Sequence, residues 1–421
     1  MARPWSGNPP AAAPLSWESI AARDQARPVP RSRLARLVHR RRHALMRHLY
    51  LAATGQNRGK TTVSLGVMDG FRRRGLSTGF IKPVGQRTVI EDGVPADEDA
   101  ILMKHVFDLP EPLARMSPVH IPRGFTQSYI DGKVVEDLPA RIRSAHAQFA
   151  AERDILLIEG TGHAGVGAVI DLSNAVVASM LGAPAVIVSE GGVGRPIDEI
   201  VLNKALFERS GVRVAGAIVN KVDLAAKPDL ARTLELGLAR HGIPLLGVLP
   251  YRPILSNPTL AMVLEGVHGE TIHPGPDLDQ VIGGVAIGAM EPEHMLQRIG
   301  ARSLVIVPGD RDDLIAAIVH ARRIGAEAGG DALGLVLTGG YRPRPAVLEA
   351  IRAADLFATI VPEDTYAVAS GVHDLLVKTH IADRGKIDEI KALVWEHLFI
   401  DRVLDVATEA EVADQTPGVS A

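Results

Sequence analysis

Short apolar runs alternate with segments of helical pattern over residues 48–250, and this alternation restricts the fold more than any other feature of the sequence. The runs include "HLYLAAT", "RDILLIEG", "APAVIVSE", "VRVAGAIVNK" and "IPLLGVLP", each bounded by Gly, Pro or charged residues. Helical segments are predicted between them, around residues 171–181, 197–209 and 228–240. Strands that alternate with helices form βαβ units. We therefore predict an α/β fold with a doubly wound, mostly parallel sheet whose binding edge lies at the carboxyl ends of its strands.

The first apolar run leads into "TGQNRGKTT", which has the residue order of a phosphate-binding loop. Gly59, Lys60 and Thr61 match the usual motif, but its opening glycine is displaced, because position 54 is Thr and Gly55 follows it. Backbone amides at the start of the helix would point at phosphate oxygens, Lys60 would reach the β- and γ-phosphates, and the Thr61 hydroxyl would ligate Mg²⁺. The sequence thus predicts a P-loop nucleotide site with these binding residues: Gly55, Asn57, Gly59, Lys60, Thr61 and Thr62.

Acidic and amide side chains follow other predicted strands. Glu159 ends the run "DILLIEG", and Asp97 and Asp99 lie in "PADEDAIL" at a predicted helix start. Carboxylates at such positions can hold Mg²⁺ directly or through water, although helix capping and simple solvation are alternative roles. In "NKVD", Asn220 can serve the ring edge of either purine, whereas Asp223 would favour guanine. The alternative for that segment is a plain exit from a strand.

Composition divides the chain into regions. Residues 1–47 are rich in Pro, Ala and Arg, with seven arginines between Arg31 and Arg47, and we predict a disordered leader there, with contact to an acidic partner, a membrane surface or nucleic acid as the alternative. His39 and His43 have helical spacing in this leader, but no acid lies nearby to complete a metal site. We predict these further regions: a P-loop domain at 48–250, a Pro-rich linker at 251–280, a second, smaller α/β domain at 281–402, and a polar tail at 403–421.

Composition also excludes several classes of function. The 421 residues contain no cysteine, which rules out disulfides, thiolate metal sites and cysteine nucleophiles. The formal net charge of −3 gives no general attraction to nucleic acid or anionic lipid. No apolar run approaches the roughly 20 residues needed to cross a bilayer. We expect a cytoplasmic protein without nucleic-acid or membrane partners.

Residues 48–250 resemble dethiobiotin synthetase, a P-loop enzyme that uses ATP to activate a carbamate. In that family a longer spacing precedes the Gly-Lys-Thr, as it does here. The segment "IKPVGQR" is similar to the family's Lys-Pro-Val element, which implies that Lys82 meets the carboxylate or carbamate of the substrate. The resemblance further implies Asp99 and Glu159 as metal-binding residues beside Thr61, and Asn220 as the contact to adenine. It also implies ATP as the nucleotide and a homodimer, because the family's substrate site lies at a subunit interface.

The order of the two domains also resembles the amino-terminal half of long-form bacterial phosphotransacetylases, in which a dethiobiotin synthetase-like domain precedes a DRTGG domain. "PGDRDDLI" contributes Asp310 and Arg311, and "LTGG" contributes Thr338, Gly339 and Gly340. These residues could form an anion-binding site for a second ligand, or they could be ordinary turns at strand ends. The transacetylase catalytic domain of that family does not follow in this sequence, so acetyl transfer by this chain alone is not expected.

Two classes of function remain open from the sequence. In the first, the protein is an ATP-hydrolysing ligase-type enzyme in which Lys60 and Mg²⁺ stabilise the transferring phosphoryl group and Lys82 positions a small carboxylate. In the second, it is a nucleotide-sensing regulator that acts on a metabolic enzyme through its DRTGG domain. Retention of Lys60, Thr61, Asp99 and Glu159 favours the enzyme, whereas a second domain without an evident catalytic group favours the regulator.

Overall fold

The computed structural model describes residues 46–408 except 151, 225, 328, 374, 376–378, 380 and 382. The chain divides into two compact units, the first formed by residues 1–251 and 380–421 and the second by residues 252–379. The predicted leader up to residue 45, with His39 and His43, and the chain from residue 409 onward lie outside the described residues. Within the described part, no helix is both long and apolar enough to cross a membrane.

The strands and helices follow one another along the chain in the order given below. Up to residue 250 they are β1 Arg47–Ala53, α1 Lys60–Arg73, β2 Thr78–Ile81, β3 Val84–Gly85, β4 Thr88–Glu91, β5 Val94–Asp97, α2 Glu98–Phe107, α3 Leu113–Met116, β6 Val119–His120, α4 Phe125–Ile130, α5 Leu138–Ala150, β7 Ile155–Glu159, a 3-10 turn Ala168–Ile170, α6 Asn174–Met180, β8 Ala185–Glu190, α7 Gly194–Arg209, β9 Val214–Val222, α8 Leu230–Ala239 and β10 Leu245–Pro250. Beyond it they are α9 Pro253–Ser256, α10 Leu260–Val267, β11 Glu270–His273, β12 Gly284–Ile287, α11 Pro292–Leu296, β13 Ser303–Pro308, α12 Asp312–Ile324, β14 Ala332–Thr338, α13 Pro345–Ala353, β15 Phe357–Ile360, α14 Thr365–His373, α15 Arg384–His397 and α16 Ile400–Thr408.

The first unit contains a six-stranded sheet in the order β10-β9-β8-β1-β7-β2, with every neighbouring pair parallel. Each of these strands is buried along almost its whole length, as expected for strands that are covered on both faces. The chain runs from β7 on one side of β1 to β8 on the other, so the winding direction changes at β1. In sheets of this kind ligands bind outside the carboxyl ends of the strands at such a switch point, and the predicted phosphate loop directly follows β1.

The second unit contains a five-stranded sheet in the order β11-β15-β14-β13-β12. β12, β13, β14 and β15 are parallel, and β11 joins β15 antiparallel. Helices cover both faces of this sheet, with separate apolar clusters on each face. Both units are therefore α/β and mostly parallel, which confirms the predicted fold class.

The predicted linker at 251–280 is wrong, because these residues are part of the second unit. α9, α10 and β11 lie within that range. Leu260, Val263 and Val267 of α10 are buried in one of the two cores of the second unit. The prolines and glycines that suggested a linker instead lie at the ends of short elements, and the apolar positions of α10 between them face the core.

The predicted end of the second domain at residue 402 is also wrong. α15 and α16 belong to the first unit, where both contact α1. Val394 and Ile400 are buried there, and ideal Cβ atoms built on Gly66 and Gly70 of α1 would lie 2.1 Å and 2.7 Å from them. The two glycines thus allow the carboxyl-terminal helices to approach α1 closely. The predicted tail starts within α16, which continues to Thr408 and buries Val403.

Candidate functional site

The loop between β1 and α1 leads into the helix through a glycine. Gly59 precedes Lys60, the first residue of α1, and has the left-handed φ of 88°. An ideal Cβ at this position would lie 2.0 Å from the side-chain nitrogen of Asn220. Both the conformation and the lack of space therefore require glycine here. Lys60 and Thr61 form the first turn of α1, where the amides at a helix start can meet an anion.

Asn220 contacts this loop directly. It lies in β9 and is buried, and its Nδ2 donates a hydrogen bond to the backbone oxygen of Arg58 at 3.1 Å. Its Oδ1 accepts from the backbone amide of Lys221 at 2.8 Å. The predicted purine-reading asparagine therefore lies next to the loop and fixes part of its backbone.

Lys82 joins two carboxylates that come from different elements. Its Nζ lies 2.5 Å from Oδ2 of Asp99 at the start of α2 and 2.7 Å from Oε1 of Glu159 at the end of β7. Oδ1 of Asp99 accepts from the hydroxyl of Thr61 at 3.0 Å. Oε2 of Glu159 accepts from the hydroxyl of Ser64 at 2.6 Å. Four residues that the sequence analysis placed in the site, Thr61, Lys82, Asp99 and Glu159, thus meet in one cluster.

The cluster shifts the pKa of each of its ionisable groups. Burial raises the pKa of Glu159 to about 7, although the charge of Lys82 acts in the opposite direction. Burial also acts to raise the pKa of Asp99, but the charge of Lys82 and the hydrogen bonds from Lys82 and Thr61 outweigh it and hold the value at about 2. Burial acts to lower the pKa of Lys82, yet Asp99 and Glu159 raise it well above its ordinary value. Lys82 therefore carries a full charge at neutral pH.

Lys60 lies near this cluster at the start of α1. Burial lowers the pKa of Lys60 to about 8, and the positive charge of Lys82 contributes to the shift, while Glu159 and Asp99 oppose it. Two lysines with mutual repulsion in a partly desolvated site would be stabilised by an anion. This arrangement favours a phosphate group at the start of α1.

The donor set of the cluster suits Mg²⁺. Thr61, Asp99 and Glu159 offer a hydroxyl and two carboxylates, which are hard oxygen ligands. Among the described residues no group of three or more His, Asp or Glu is arranged to hold a metal ion. Mg²⁺ commonly takes only one or two protein carboxylates and completes its coordination with water and substrate phosphates, so these residues fit Mg²⁺ bound together with a nucleotide.

Asp97 and Asp223 do not belong to the cluster. Asp97 caps α2 by accepting from the amide of Asp99 at 3.1 Å, which is the alternative role considered for it. Asp223 is exposed after β9, and its Oδ1 accepts from the amide of Ala226 at 2.9 Å in a local turn.

The remaining loop residues predicted to bind nucleotide surround Gly59. Gly55 lies against the side chain of Arg58, and an ideal Cβ at Gly55 would be 3.2 Å from its Nε. Asn57 has a left-handed φ of 57°, and its backbone oxygen accepts from Nζ of Lys221 at 2.8 Å. Thr62 follows Thr61 in the first turn of α1 and is half-buried.

The predicted second-domain residues lie at the carboxyl ends of β13 and β14 in the second unit. Three backbone amides donate to backbone oxygens here: Gly309 to Thr338, Gly339 to Glu363, and Gly340 to Val361. Arg311 forms two 2.9 Å hydrogen bonds with Asp313, and the hydroxyls of Thr338 and Thr365 lie 2.8 Å apart. Asp310 is exposed beside them. Hydrogen bonds between neighbouring loops account for these glycine amides, which is the arrangement of strand-end turns.

A cleft lies beside the lysine-carboxylate cluster in the first unit. Its lining carries no ionisable side chain and consists of Val84, Gln86, Ile121, Thr126, Thr161, Val166, Gly167, Val169, Ile170, Leu172 and Asn174. Val84 and Thr161 follow Lys82 and Glu159 by two residues, so the cleft adjoins the cluster along both segments. The hydroxyl of Thr161 donates to the backbone oxygen of Val84 at 2.6 Å and joins the two segments.

The sequence analysis missed several residues that contact the loop or the cluster. Ser64 lies one helical turn after Lys60, and this i,i+4 spacing could have revealed it. Glu190 ends β8 in the same way that Glu159 ends β7, so its position was also readable. Arg58 and Glu199 carry no such signal, because their pairing depends on the packing of α7 beside the loop.

Comparisons with known proteins agree with this architecture. The model of the AAA_26 family, an AAA domain, matches residues 47–259, which is more than half of the chain. The chain belongs to the AAA_26 family. A DRTGG domain model matches residues 262–375. The predicted combination of a dethiobiotin synthetase-like P-loop domain with a DRTGG domain is thereby confirmed for this AAA_26 protein.

The curated relatives of this AAA_26 protein include long bacterial enzymes. The chain is 26% identical over 375 residues to a phosphate acetyltransferase of Pseudomonas aeruginosa, a match that covers 84% of this chain and 51% of the relative. It is 29% identical over 369 residues to the phosphate acetyltransferase of Pseudomonas putida, with the same coverage. The chain thus spans about half the length of the curated relatives that it matches.

Solved structures give more distant matches. The septum site-determining protein MinD of Pyrococcus horikoshii, complexed with Mg-ADP, is 13% identical with a TM-score of 0.32, covering 50% of this chain and 83% of that one. The CBS and DRTGG domains of Clostridium perfringens pyrophosphatase, complexed with diadenosine tetraphosphate, are 19% identical with a TM-score of 0.23, covering 29% and 50%.

Proposed function

We propose that this protein binds Mg-ATP and is a ligase-type enzyme that activates a small carboxylate by phosphoryl transfer. The observation that carries the proposal is the convergence at Lys82, whose Nζ lies 2.5 Å from Asp99 and 2.7 Å from Glu159, while Asp99 accepts from Thr61 of the phosphate-loop helix. A buried lysine fixed beside a phosphate loop by two carboxylates is an arrangement that can place positive charge opposite a transferring phosphoryl group.

In this proposal, different residues of the first unit bind the phosphates, the metal ion and the acceptor. The amides at the start of α1 and the ammonium of Lys60 hold the β- and γ-phosphates, and the charge of Lys60 stabilises the phosphoryl group as its bond to ADP breaks. Thr61, Asp99 and Glu159 would hold Mg²⁺, which would neutralise phosphate charge. Lys82 keeps its charge at neutral pH, so it can orient an acceptor carboxylate towards the γ-phosphorus.

The reaction forms a mixed anhydride. A carboxylate oxygen of the acceptor bonds to the γ-phosphorus, the bond between that phosphorus and the bridging oxygen of ADP breaks, and ADP leaves with the electron pair. The cleft beside the cluster has a lining without ionisable groups, which suits an acceptor whose body carries no charge beyond its reacting carboxylate.

We propose ATP rather than GTP as the nucleotide. Asn220 lies against the loop and can serve either purine, whereas Asp223 is exposed and engaged in a local turn. A competition titration in which GTP binds more tightly than ATP would contradict this choice.

A second candidate is a nucleotide-sensing regulator. The curated relatives that match 84% of this chain are phosphate acetyltransferases, and this chain spans about half of their length. In this case the protein binds ATP with little or no turnover and acts on a metabolic enzyme through its DRTGG domain. Asp310, Arg311, Thr338, Gly339 and Gly340 would then be candidates for the ligand site of that domain. For either function we propose a cytoplasmic homodimer.

Mg²⁺-dependent ATP hydrolysis by the purified protein distinguishes the two candidates. Wild type, Lys60→Ala and Glu159→Gln are compared with and without a panel of small carboxylates and amines. Turnover that rises with one compound and is lost in both variants supports the ligase-type enzyme and identifies its acceptor. Tight ATP binding without turnover under every addition would contradict the enzyme and favour the regulator.

A further inference from the structure

Arg58 occupies the position before Gly59 in the phosphate loop, and its side chain reaches two carboxylates outside the loop. Its guanidinium bonds to Glu190 at the end of β8 and lies 3.6 Å from Glu199 of α7. Only 15% of the Arg58 side chain is exposed. Charge-assisted pairs with arginine in a partly desolvated position are stronger than those on an open surface.

The same two carboxylates hold other parts of the loop region. Oε2 of Glu199 accepts from the hydroxyl of Thr54, at the beginning of the loop, at 2.8 Å. Glu190 lies 3.0 Å from Nζ of Lys221, which also donates to the backbone oxygen of Asn57. Glu190 and Glu199 are therefore linked to the loop at its first residue and through Arg58 near its end.

This arrangement has an electrostatic consequence for an anionic ligand. Without Arg58, Glu190 and Glu199 would lose a counter-charge that lies within the loop itself, which is proposed to accept phosphates. Two further cations are in contact with them, because Arg195 lies 2.7 Å from Glu199 and Lys221 lies 3.0 Å from Glu190. Arg195 is 70% exposed and lies outside the loop, so its charge is largely screened by solvent.

We infer that Arg58 is a positioning residue of the nucleotide site, which holds the phosphate loop against Glu190 and Glu199 and helps to balance their charge next to the phosphates. It acts through the loop backbone and does not touch the reacting atoms. The displaced glycine explains why such a residue is needed. Between Gly55 and Gly59 the loop carries the larger residues 56–58, and hydrogen bonds to its surroundings hold its amides in one conformation. This inference rests on the proposed binding of Mg-ATP.

Calorimetric titration with Mg-ATP tests the role of Arg58 in the full chain. The variants are Arg58→Met, Arg58→Lys and the triple change Arg58→Met with Glu190→Gln and Glu199→Gln. Arg195→Met is the matched control, because it removes an arginine from the same carboxylate outside the loop. The thermal unfolding midpoint of each variant is measured in parallel.

Arg58→Met is expected to weaken Mg-ATP binding about tenfold, and Arg58→Lys about threefold, because lysine keeps the charge but not the fork of donors. The triple variant is expected to recover part of the lost affinity, because it removes the unbalanced charge but does not restore the tie, and Arg195→Met is expected to bind like wild type. A purely structural role of Arg58 would lower the unfolding midpoint without recovery in the triple variant, and this result would overturn the inference. Wild-type affinity in Arg58→Met would overturn it too, whereas a wild type that fails to bind Mg-ATP would overturn the proposed function itself.

Discussion

Lys82 forms ion pairs with two carboxylates of the site, Asp99 and Glu159. It is buried together with Glu159, and its single positive charge pairs with that carboxylate and with Asp99. Two carboxylates so close together in a desolvated place repel each other, and without Lys82 they would take up a proton more readily. Lys82 therefore stabilises the folded first unit as well as preparing the site for its ligands.

Replacement of Lys82 by Met is expected to lower the free energy of unfolding by about 3 kcal/mol, because it leaves buried carboxylates without a counter-charge. Urea denaturation followed by circular dichroism measures this change. Adding Glu159→Gln to the variant should recover part of the loss. Lys133→Met, which removes a lysine that is 70% exposed, serves as the control and should change stability by less than about 0.5 kcal/mol. A loss below about 1 kcal/mol in Lys82→Met would contradict the role assigned to this residue.

A pair of histidines gives the first unit a pH dependence. Nε2 of His48 lies 3.1 Å from the backbone oxygen of Gly182, so it donates there, and Nδ1 of His48 accepts from Nε2 of His146 at 3.1 Å. Burial and the neighbouring His48 lower the pKa of His146 to about 4, and burial lowers the pKa of His48. Both rings are therefore neutral in the folded protein at pH 7.

The free energy of unfolding is expected to fall as the pH drops from about 6.5 towards 4. The unfolded chain takes up protons on these histidines below their ordinary pKa, while the folded chain resists until its lowered pKa is reached, so the stability present above pH 6.5 is lost in this window by about 3 kcal/mol. Urea titrations at several pH values measure the slope. His146→Asn should flatten it, and His241→Asn, at an exposed position, should leave it unchanged. Equal slopes in wild type and His146→Asn would refute this explanation.

Residue identity predicted part of the site. The strand, the loop and the helix around Lys60 and Thr61 follow local rules, and the family resemblance placed Lys82, Asp99 and Glu159 beside them. Arg58 was not predicted, because its partners Glu190 and Glu199 lie more than 130 residues further along the chain and become neighbours only when β8 pairs with β1 and α7 packs against β8. Pairing between distant side chains has no sequence period that could reveal it.

At the scale of elements, α1 joins the phosphate site to the carboxyl-terminal helices. Its first turn carries Lys60 and Thr61, and its later turns contact α15 and α16 through Gly66 and Gly70. Arg74 at the end of α1 forms a two-pronged pair with Asp401 of α16 at 2.7 Å and 2.9 Å. The position of the phosphate-loop helix therefore depends on residues that follow the second unit in the chain.

Gly70→Ala is expected to destabilise the protein by about 1 to 3 kcal/mol, although the same change in an open helix interior would stabilise it. The added Cβ would lie 2.7 Å from Cδ1 and 2.9 Å from Cγ1 of Ile400. Ile400→Ala removes these atoms and should cost about 2 to 4 kcal/mol by itself. The double variant should lose less unfolding free energy than the two single variants lose together. We expect a coupling of at least about 1 kcal/mol in a double-mutant cycle of urea denaturation. Additive losses would show that α16 does not pack on α1 in this way.

The errors in the predicted boundaries also arose at this scale. Prolines and glycines in residues 251–280 suggested a linker, but the apolar positions of α10 pack into the core of the second unit. Nothing in the local pattern of α15 distinguishes a helix of the second domain from one that returns to the first. That choice is made by the fit of Val394 and Ile400 against glycines about 330 residues earlier, which only the folded structure reveals.

At the scale of the whole molecule, the second unit is inserted into the chain of the first. The chain leaves the first unit after β10, builds the second unit between residues 252 and 379, and then returns to form α15 and α16. The family models cover residues 47–259 and 262–375, so the returning helices lie beyond both of them. The first unit of this protein thus includes carboxyl-terminal residues that lie outside the residues matched by the family models.

Equilibrium titration of the full chain with ATP in the presence of Mg²⁺ tests the nucleotide site most directly, with Lys60→Ala as the comparison. Wild type is expected to bind Mg-ATP, and Lys60→Ala to lose at least about tenfold in affinity, because the lysine at the start of α1 supplies the charge opposite the phosphates. Omitting Mg²⁺ should weaken binding by wild type. Equal affinities in the two proteins would contradict the assignment of the loop between β1 and α1 as the phosphate site.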